Sequence, residues 1–255
     1  MVIRYLSYLM RSGNRHSVHS PFVFDLVENV LNDKRHFYAY NEIEQQTESM
    51  LHSNEVVSVE DLGAGSQVDI RYSKKISKLA KSGSHNRKYH RLLFRLVNHF
   101  QPKNMLELGT SLGISAMYQG AAQKDAKFIT LEGSMKLADI AKRNLEDMKL
   151  NVQVVTGNFD DTLEDVVKDF NQLDYVFFDG NHQKEATLRY FKICLEKISN
   201  DSLFIFDDIH WSNPMEEAWE EIKNDPGVTI TIDLFFMGLV FFRKEQVKEH
   251  FTLRF

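Results

Sequence analysis

"NMLELGTSLGIS" (residues 104–115) decides the fold. Five residues of strand texture run into a turn with glycines at 109 and 113, and helical patterning follows. Four more short apolar runs come after it: "KFITL" (127–131), "VQVV" (152–155), "DYVFF" (174–178) and "SLFIF" (202–206). Each has the length of a buried strand. Between the second and third runs, Ala138, Ala141, Leu145 and Met148 recur at helical spacing. Between the fourth and fifth, Leu188, Phe191, Leu195 and Ile198 do the same. "SNPMEEAW" (212–219) then places Asn213 as an N-cap, proline at the first helical position and Glu216 three residues on, with Met215, Ala218, Trp219 and Ile222 as the buried face. Strands alternating with helices imply parallel strands joined by right-handed crossovers. The end differs. "VTITIDLFFMGLVFFRK" (228–244) reads as two strands turned at Met237-Gly238 with no helix between. The expected architecture is α/β: a Rossmann-like, doubly wound, seven-stranded sheet closed by a C-terminal antiparallel hairpin.

The first hundred residues have another texture. Ile3, Leu6, Leu9 and Met10 fit one helix face. Ser20-Pro21 is a sound helix start, with Val23, Val27, Val30 and Leu31 as the stripe behind it. "RLLFRLVNHF" (91–100) is a further helix, ended by Pro102. Residues 1–100 are therefore expected as an N-terminal helical cap on the substrate side, and residues 101–255 as the cofactor-binding domain.

Composition narrows the class. The chain has 255 residues, 43% hydrophobic and 26% charged, ordinary for a globular protein. No apolar run approaches the ~18–20 residues of a membrane span, and the N-terminus lacks the pattern of a signal peptide. The lone Cys194 falls in a helical stripe and suits a reducing, cytoplasmic setting. Net charge is −5, yet residues 71–91 hold eight Lys/Arg and no Asp/Glu. Such a block is either a solvated face or an attraction site for an anionic ligand. Without a recognition motif it does not point to nucleic acid.

Two glycine-rich turns compete for a nucleotide-like ligand, "EDLGAGS" (60–66) and "LELGTSLGIS" (106–115). Neither has the G-x-G-x-x-G of a dinucleotide site. Spacing separates them. A ribose-binding acid should end the next strand, roughly 20 residues on. From Gly109 this acid arrives as Glu132 in "FITLEGS"; from Gly63 the chain runs on basic and helical, with no strand. The 60–66 stretch is left as a tight turn or a substrate contact.

The acid-x-glycine turn, the acid after the second strand, "TGNFDD" (156–161), the acid after the fourth strand and the terminal hairpin occur in order. In this, residues 104–243 resemble a class I S-adenosylmethionine-dependent methyltransferase. The resemblance implies S-adenosylmethionine as cofactor. Glu107, Gly109, Thr110, Ser111 and Ser115 would serve its methionine part, with free N–H groups and hydroxyls at the helix start holding the carboxylate. Glu132 would accept the ribose hydroxyls, Gly133, Ser134 and Met135 would flank adenine, and Asn158 and Phe159 would read and cover it. Asp179 would also face the cofactor.

Two strand ends carry further acids: Asp179, and Asp207-Asp208 followed by Ile209, His210 and Trp211. Carboxylates on one rim repel unless capping, a Lys/Arg or a cation joins them, and oxygen ligands suit Mg2+. The pattern is similar to the cation-dependent O-methyltransferases related to the catechol and caffeoyl-coenzyme A enzymes, and closer to the macrolide-sugar branch. That resemblance implies Asp179, Asp207 and Asp208 as metal ligands and His182, three residues after Asp179, as general base. Asp208 stands where the catechol type has asparagine. His210 and Trp211 would meet the substrate. The expected function is O-methylation of a hydroxylated small molecule with Mg2+ assistance, with an anionic acceptor and a homodimer left open. The rivals are a metal-independent N- or C-methyltransferase and a module that only binds the cofactor.

Overall fold

The computed structural model describes residues 1–61, 70–84 and 87–255. The glycine-rich turn at 60–66 therefore lies largely outside the described residues. In chain order the helices are α1 (Val2–Arg11), α2 (Pro21–Leu26), α3 (Tyr38–Leu51), α4 (Ile76–Ser84), α5 (Arg87–Phe100), α6 (Ile114–Ala122), α7 (Met135–Asp147), α8 (Phe159–Lys168), α9 (Lys184–Leu195) and α10 (Asn213–Asn224). The strands are β1 (Val56–Asp61), β2 (Ile70–Lys75), β3 (Asn104–Leu108), β4 (Lys127–Glu132), β5 (Val152–Thr156), β6 (Leu173–Phe178), β7 (Ile198–Asp207), β8 (Ile230–Asp233), β9 (Met237–Phe241) and β10 (Glu249–Thr252). The class is α/β, with a mostly parallel central sheet.

The chain divides into two compact units, one of residues Asp33–Glu164 and one of Met1–Asn32 with Asp165–Phe255. In the first, β3, β4 and β5 pair in parallel and in that order, with Leu108 opposite Leu131 and Glu132 opposite Thr156. Leu92, Leu93, Leu96 and Val97 of α5 are wholly buried, as are Met105, Leu106 and Leu108 of β3. β1 and β2 form a separate antiparallel hairpin, from Val56 opposite Lys75 to Asp61 opposite Ile70. The second strand of that hairpin lies in the basic block, where a helix and no strand is expected. A two-stranded ribbon leaves one face to water, so lysines do not forbid it.

In the second unit the strand order is β10-β8-β9-β7-β6. β6 and β7 run parallel, β9 is antiparallel to both β7 and β8, and β10 joins β8 in parallel. Eight strands thus follow residue 103 where the sequence reading counts seven, because "EHFT" (249–252) is a short edge strand whose exposed residues hide its pattern. The hairpin also turns earlier than read. Leu234–Phe236 make the turn, Phe235 adopting φ 71° with its N–H on Asp233 Oδ1 at 2.8 Å, while Met237 and Gly238 lie within β9. Aromatic rings fill this core: Phe178 and Phe206 stack at 4.3 Å, and Phe204 meets Phe242 edge-on at 4.9 Å.

Helix ends follow local chemistry. Ser20 Oγ accepts from Val23 N, with Pro21 in the first turn of α2. For α10 the cap is Ser212, not Asn213: its hydroxyl accepts from Met215 N at 3.3 Å. Two stripes differ from their reading. α9 buries Ala186, Thr187, Tyr190, Phe191 and Cys194, and Ile198 opens β7. The larger rings of Tyr190 and Phe191 outcompete Leu188 and Leu195 for burial. In α1 the buried residue is Tyr8, and Ile3, Leu6 and Met10 point to solvent.

Gly238 is where the sheet accepts a helix. A Cβ there would lie 2.6 Å from two ring carbons of Trp219, itself 2% exposed. Gly238→Ala is expected to lower stability by about 1–3 kcal/mol through overpacking, seen as a lower urea midpoint with unchanged slope.

Candidate active site

In the unit of residues 33–164, β3 ends at Leu108 and the chain enters a loop with three left-handed positions: Gly109 (φ 107°), Ser111 (φ 48°) and Gly113 (φ 82°). Gly109 N and Thr110 N both donate to Leu131 O, at 3.0 and 3.1 Å, pinning the loop to β4. Thr110 Oγ1 lies 2.6 Å from Thr130 Oγ1 and donates to Leu131 O at 3.0 Å. That hydroxyl thus faces the sheet. No side chain caps α6, so its first N–H groups are the ones suited to an anion.

Glu107 is fully buried. Its Oε1 accepts from Gln119 Nε2 at 2.8 Å and its Oε2 from Thr130 Oγ1 at 2.6 Å. Burial raises its pKa from 4.5 to about 7, against hydrogen bonds from Ser115, Thr130 and Gln119. The hydroxyl of Ser115, assigned to the cofactor's carboxylate by resemblance, therefore serves Glu107. Thr130 and Gln119 escaped the sequence reading. A lone threonine in the apolar run "FITL" was the available signal for the first.

Glu132 ends β4 and is 9% exposed. Its Oε2 accepts from Ser111 N at 2.7 Å and its Oε1 from Ser134 N at 2.8 Å. Burial raises its pKa, while the amides of Ser134, Ser111 and Gly133 pull the other way. Glu132 thus staples the glycine loop to the start of α7. Beside it, Ser134 Oγ is buried without a hydrogen-bond partner, and Met135 is 65% exposed. Gly157 N donates to Glu132 O at 2.9 Å, and Asn158 Oδ1 accepts from Asp160 N at 3.1 Å, capping α8 at half-buried Phe159. Glu132, Ser134, Met135 and Asn158 share one edge, the C-terminal ends of β4 and β5. The basic block is partly consumed here: Glu44 pairs with Arg91, and with Arg87 at 3.5 Å.

The other unit holds the second group of acids. Past β6, Asn181 turns the chain at φ 54° and its Nδ2 donates to Tyr190 Oη at 3.2 Å. This brings His182 Nε2 to 3.7 Å from Asp179 Oδ1. At the end of β7, Asp208 adopts φ 54° and its N–H donates to Phe236 O at 2.7 Å. Burial, then the neighbouring Asp208, pushes Asp207 up to about 8, against hydrogen bonds from Asp179 and a backbone amide. A proton shared between two acids is the expected remedy for such a pair. Asp207 Oδ1 is buried without a partner, next to a cavity of about 10 Å³ lined by His182, Tyr190 and Met215 among others. Burial lowers the His182 pKa despite Asp208, which leaves a neutral imidazole able to accept a proton.

Among the described residues, no three Asp, Glu, His or Cys side chains are gathered to hold a metal ion. Asp179, Asp207 and Asp208 come together as linked pairs instead: Asp179 with Asp207, and Asp208 with His182. Burial favours the protonated forms of Asp207 and Asp208.

His210 lies between two carboxylates. Its Nδ1 lies 2.9 Å from Glu216 Oε1 and its Nε2 2.9 Å from Asp233 Oδ2, with the ring stacked on Phe235. Burial lowers its pKa, but the two carboxylates prevail and the net shift is upward. Arg4 joins Glu216 at 3.2 Å. This locks the turn after Asp208. Trp211 is 59% exposed.

The Glu107 carboxyl has a testable signature. Its folded pKa lies above its unfolded one, so between about pH 4.5 and 7 the folded state holds more protons and stability falls as pH rises. Glu107→Gln should flatten that slope in unfolding measured across this window.

The chain can now be set against known proteins. Residues 106–209 match the family model described as a methyltransferase domain. A catechol O-methyltransferase from Niastella koreensis is 33% identical over 113 residues, 43% of this chain and 50% of its own length. The chain thus spans about half the length of that curated relative. Among solved structures, an O-methyltransferase from Bacillus cereus in complex with SAH superposes with a TM-score of 0.55 at 22% identity, covering 86% of this chain and 97% of its own. An SAH-bound methyltransferase from Podospora anserina gives 0.57 at 16% identity, covering 89% and 98%. These structures share the fold. With the glycine loop, the strand-end acid and the strand order in place, residues 106–209 resemble a methyltransferase domain, and the chain shares its fold with these SAH-bound structures.

Proposed function

We propose that this chain transfers a methyl group from S-adenosylmethionine to the oxygen of a hydroxylated small molecule. The observation that carries the reading is the carboxylate of Glu132, which ties the glycine loop to the α7 turn at the strand ends. There it can exchange amide bonds for ribose hydroxyls, beside the buried Ser134 hydroxyl and the exposed Met135. Methyl transfer from a sulfonium is an in-line displacement, so the acceptor hydroxyl must be oriented and must lose its proton. His182 is the group to take it, with Asp179 at 3.7 Å to orient the imidazole. The oxygen reading draws on the Niastella relative, a catechol O-methyltransferase by name.

A divalent cation is the second reading. The donor set of Asp179, Asp207 and Asp208 is oxygen-only, and Asp207 Oδ1 is buried without a partner. Oxygen donors of this kind suit Mg2+, although among the described residues the three carboxylates are not gathered around one point. When bound, such a cation would lower the pKa of a coordinated hydroxyl.

Calorimetric titration with S-adenosylmethionine is expected to show binding, weakened on the order of a hundredfold by Glu132→Ala, as loss of charged hydrogen bonds implies. Unchanged binding would remove the cofactor assignment. A screen of catechols and sugars, read by mass spectrometry, should show transfer that His182→Ala slows by about 10²–10⁴. Turnover untouched by EDTA and by Asp208→Asn would eliminate the cation. Methyl groups found only on nitrogen or carbon would replace the oxygen reading.

A further inference from the structure

Helix α1 turns its apolar stripe to solvent. At 3.6 residues per turn, Ile3, Leu6 and Met10 fall on one side and Tyr8 opposite. Tyr8 is 1% exposed, packs on Phe235 at 5.3 Å and donates to Leu253 O. Ile3, Leu6 and Met10 are 83%, 53% and 82% exposed. Several large apolar side chains gathered on one exposed helix face mark an interaction surface. Within the segment itself the charge has one sign: residues 1–24 contain Arg4, Arg11 and Arg15 and no Asp or Glu. Arg4 is committed inward, to Glu216.

Directly after α1 a cavity of about 270 Å³ opens, lined by Gly13, Asn14, Arg15, Val27, Leu31 and Arg254 among others. Backbone pairing builds it. Gly13 N donates to Thr252 O at 2.9 Å and Gly13 O accepts from Arg254 N at 3.0 Å, which brings Arg15 and Arg254 to one opening. A Cβ at Gly13 would meet the Ser17 hydroxyl, which would have to turn away. The opposite wall is a π-helical turn, Val27–Leu31, closed by Asn32 N on Val27 O at 2.9 Å; such turns recur at functional sites. Arg254 spends one N–H on Leu9 O, and Arg15 faces Glu28 at 3.6 Å.

We propose that this face docks on an anionic phospholipid surface. The α1 stripe enters the boundary between headgroups and acyl chains, and the cavity receives a headgroup phosphate between Arg15 and Arg254. A cationic helix with an exposed apolar face is the form that lies in such an interface, and a guanidinium fork matches phosphate geometry. The docking is peripheral, since among the described residues no helix is long and apolar enough to cross a membrane. The proposal stands apart from methyl transfer.

Cosedimentation of the full chain with vesicles tests it. Binding is expected to phosphatidylcholine vesicles containing phosphatidylglycerol, and not to phosphatidylcholine alone. Arg15→Gln with Arg254→Gln should weaken it roughly thirtyfold, and Ile3→Ser with Met10→Ser should abolish it, with circular dichroism unchanged. Absence of binding to both vesicle types overturns the proposal. So does binding indifferent to both double variants, or a solution dimer that Leu6→Ser converts to monomer.

Discussion

A carboxyl group enclosed near the end of β3 governs the glycine loop of this protein. Glu107 has no water around it, so it must draw its partners from β4 and α6. In doing so it joins three elements at the point where the chain has to bend sharply through Gly109, Ser111 and Gly113. A loop with three left-handed residues would be a poor scaffold on its own. Here the Glu107 cluster below it, the Leu131 carbonyl beside it and the Glu132 carboxylate above it leave it little freedom. Preorganisation of that kind is what a site must have if a ligand is not to supply the ordering itself.

The two buried acids divide the labour. Glu107 is turned inward and its pKa is driven up to about 7, so it stores structure. Glu132 holds backbone amides at the rim, contacts that ligand hydroxyls can replace one for one. A similar contrast holds in the other unit. His210 is held between two carboxylates and fixes the turn after β7, whereas His182 is only loosely associated with Asp179. Of two histidines that the sequence offers near acids, the weakly held one has the freedom that proton transfer requires.

Much of the framework was legible because it is written in local patterns. Strand runs of four to six residues, helices between them and the acid at the end of the second strand follow from periodicity and spacing. What escaped depends on partners remote in sequence. β2 exists because β1 pairs with it, β10 because β8 has an edge to extend. The turn of the hairpin moved to Leu234–Phe236 because Asp233 accepts from Phe235 N, and the glycine read as a turn residue is needed where Trp219 approaches β9. In α1 the stripe of Ile3, Leu6 and Met10 lies on one face, and that face is the exposed one. Periodicity identifies a face, but which face is covered depends on Tyr8 finding Phe235 and Leu253.

Taken by itself, the sequence determined the α/β class, the glycine loop from Gly109 and the position of Glu132. Each is a matter of residue type and spacing along one element. Only the tertiary structure decided how the polar groups are allotted: that Thr110, Thr130 and Ser115 serve the sheet and Glu107, that Asp207 pairs with Asp179, and that His210 belongs to Glu216 and Asp233. The reason is physical. A buried polar group takes whichever partner the fold brings within hydrogen-bonding distance, and that partner is set by packing between segments, not by the neighbours in the chain.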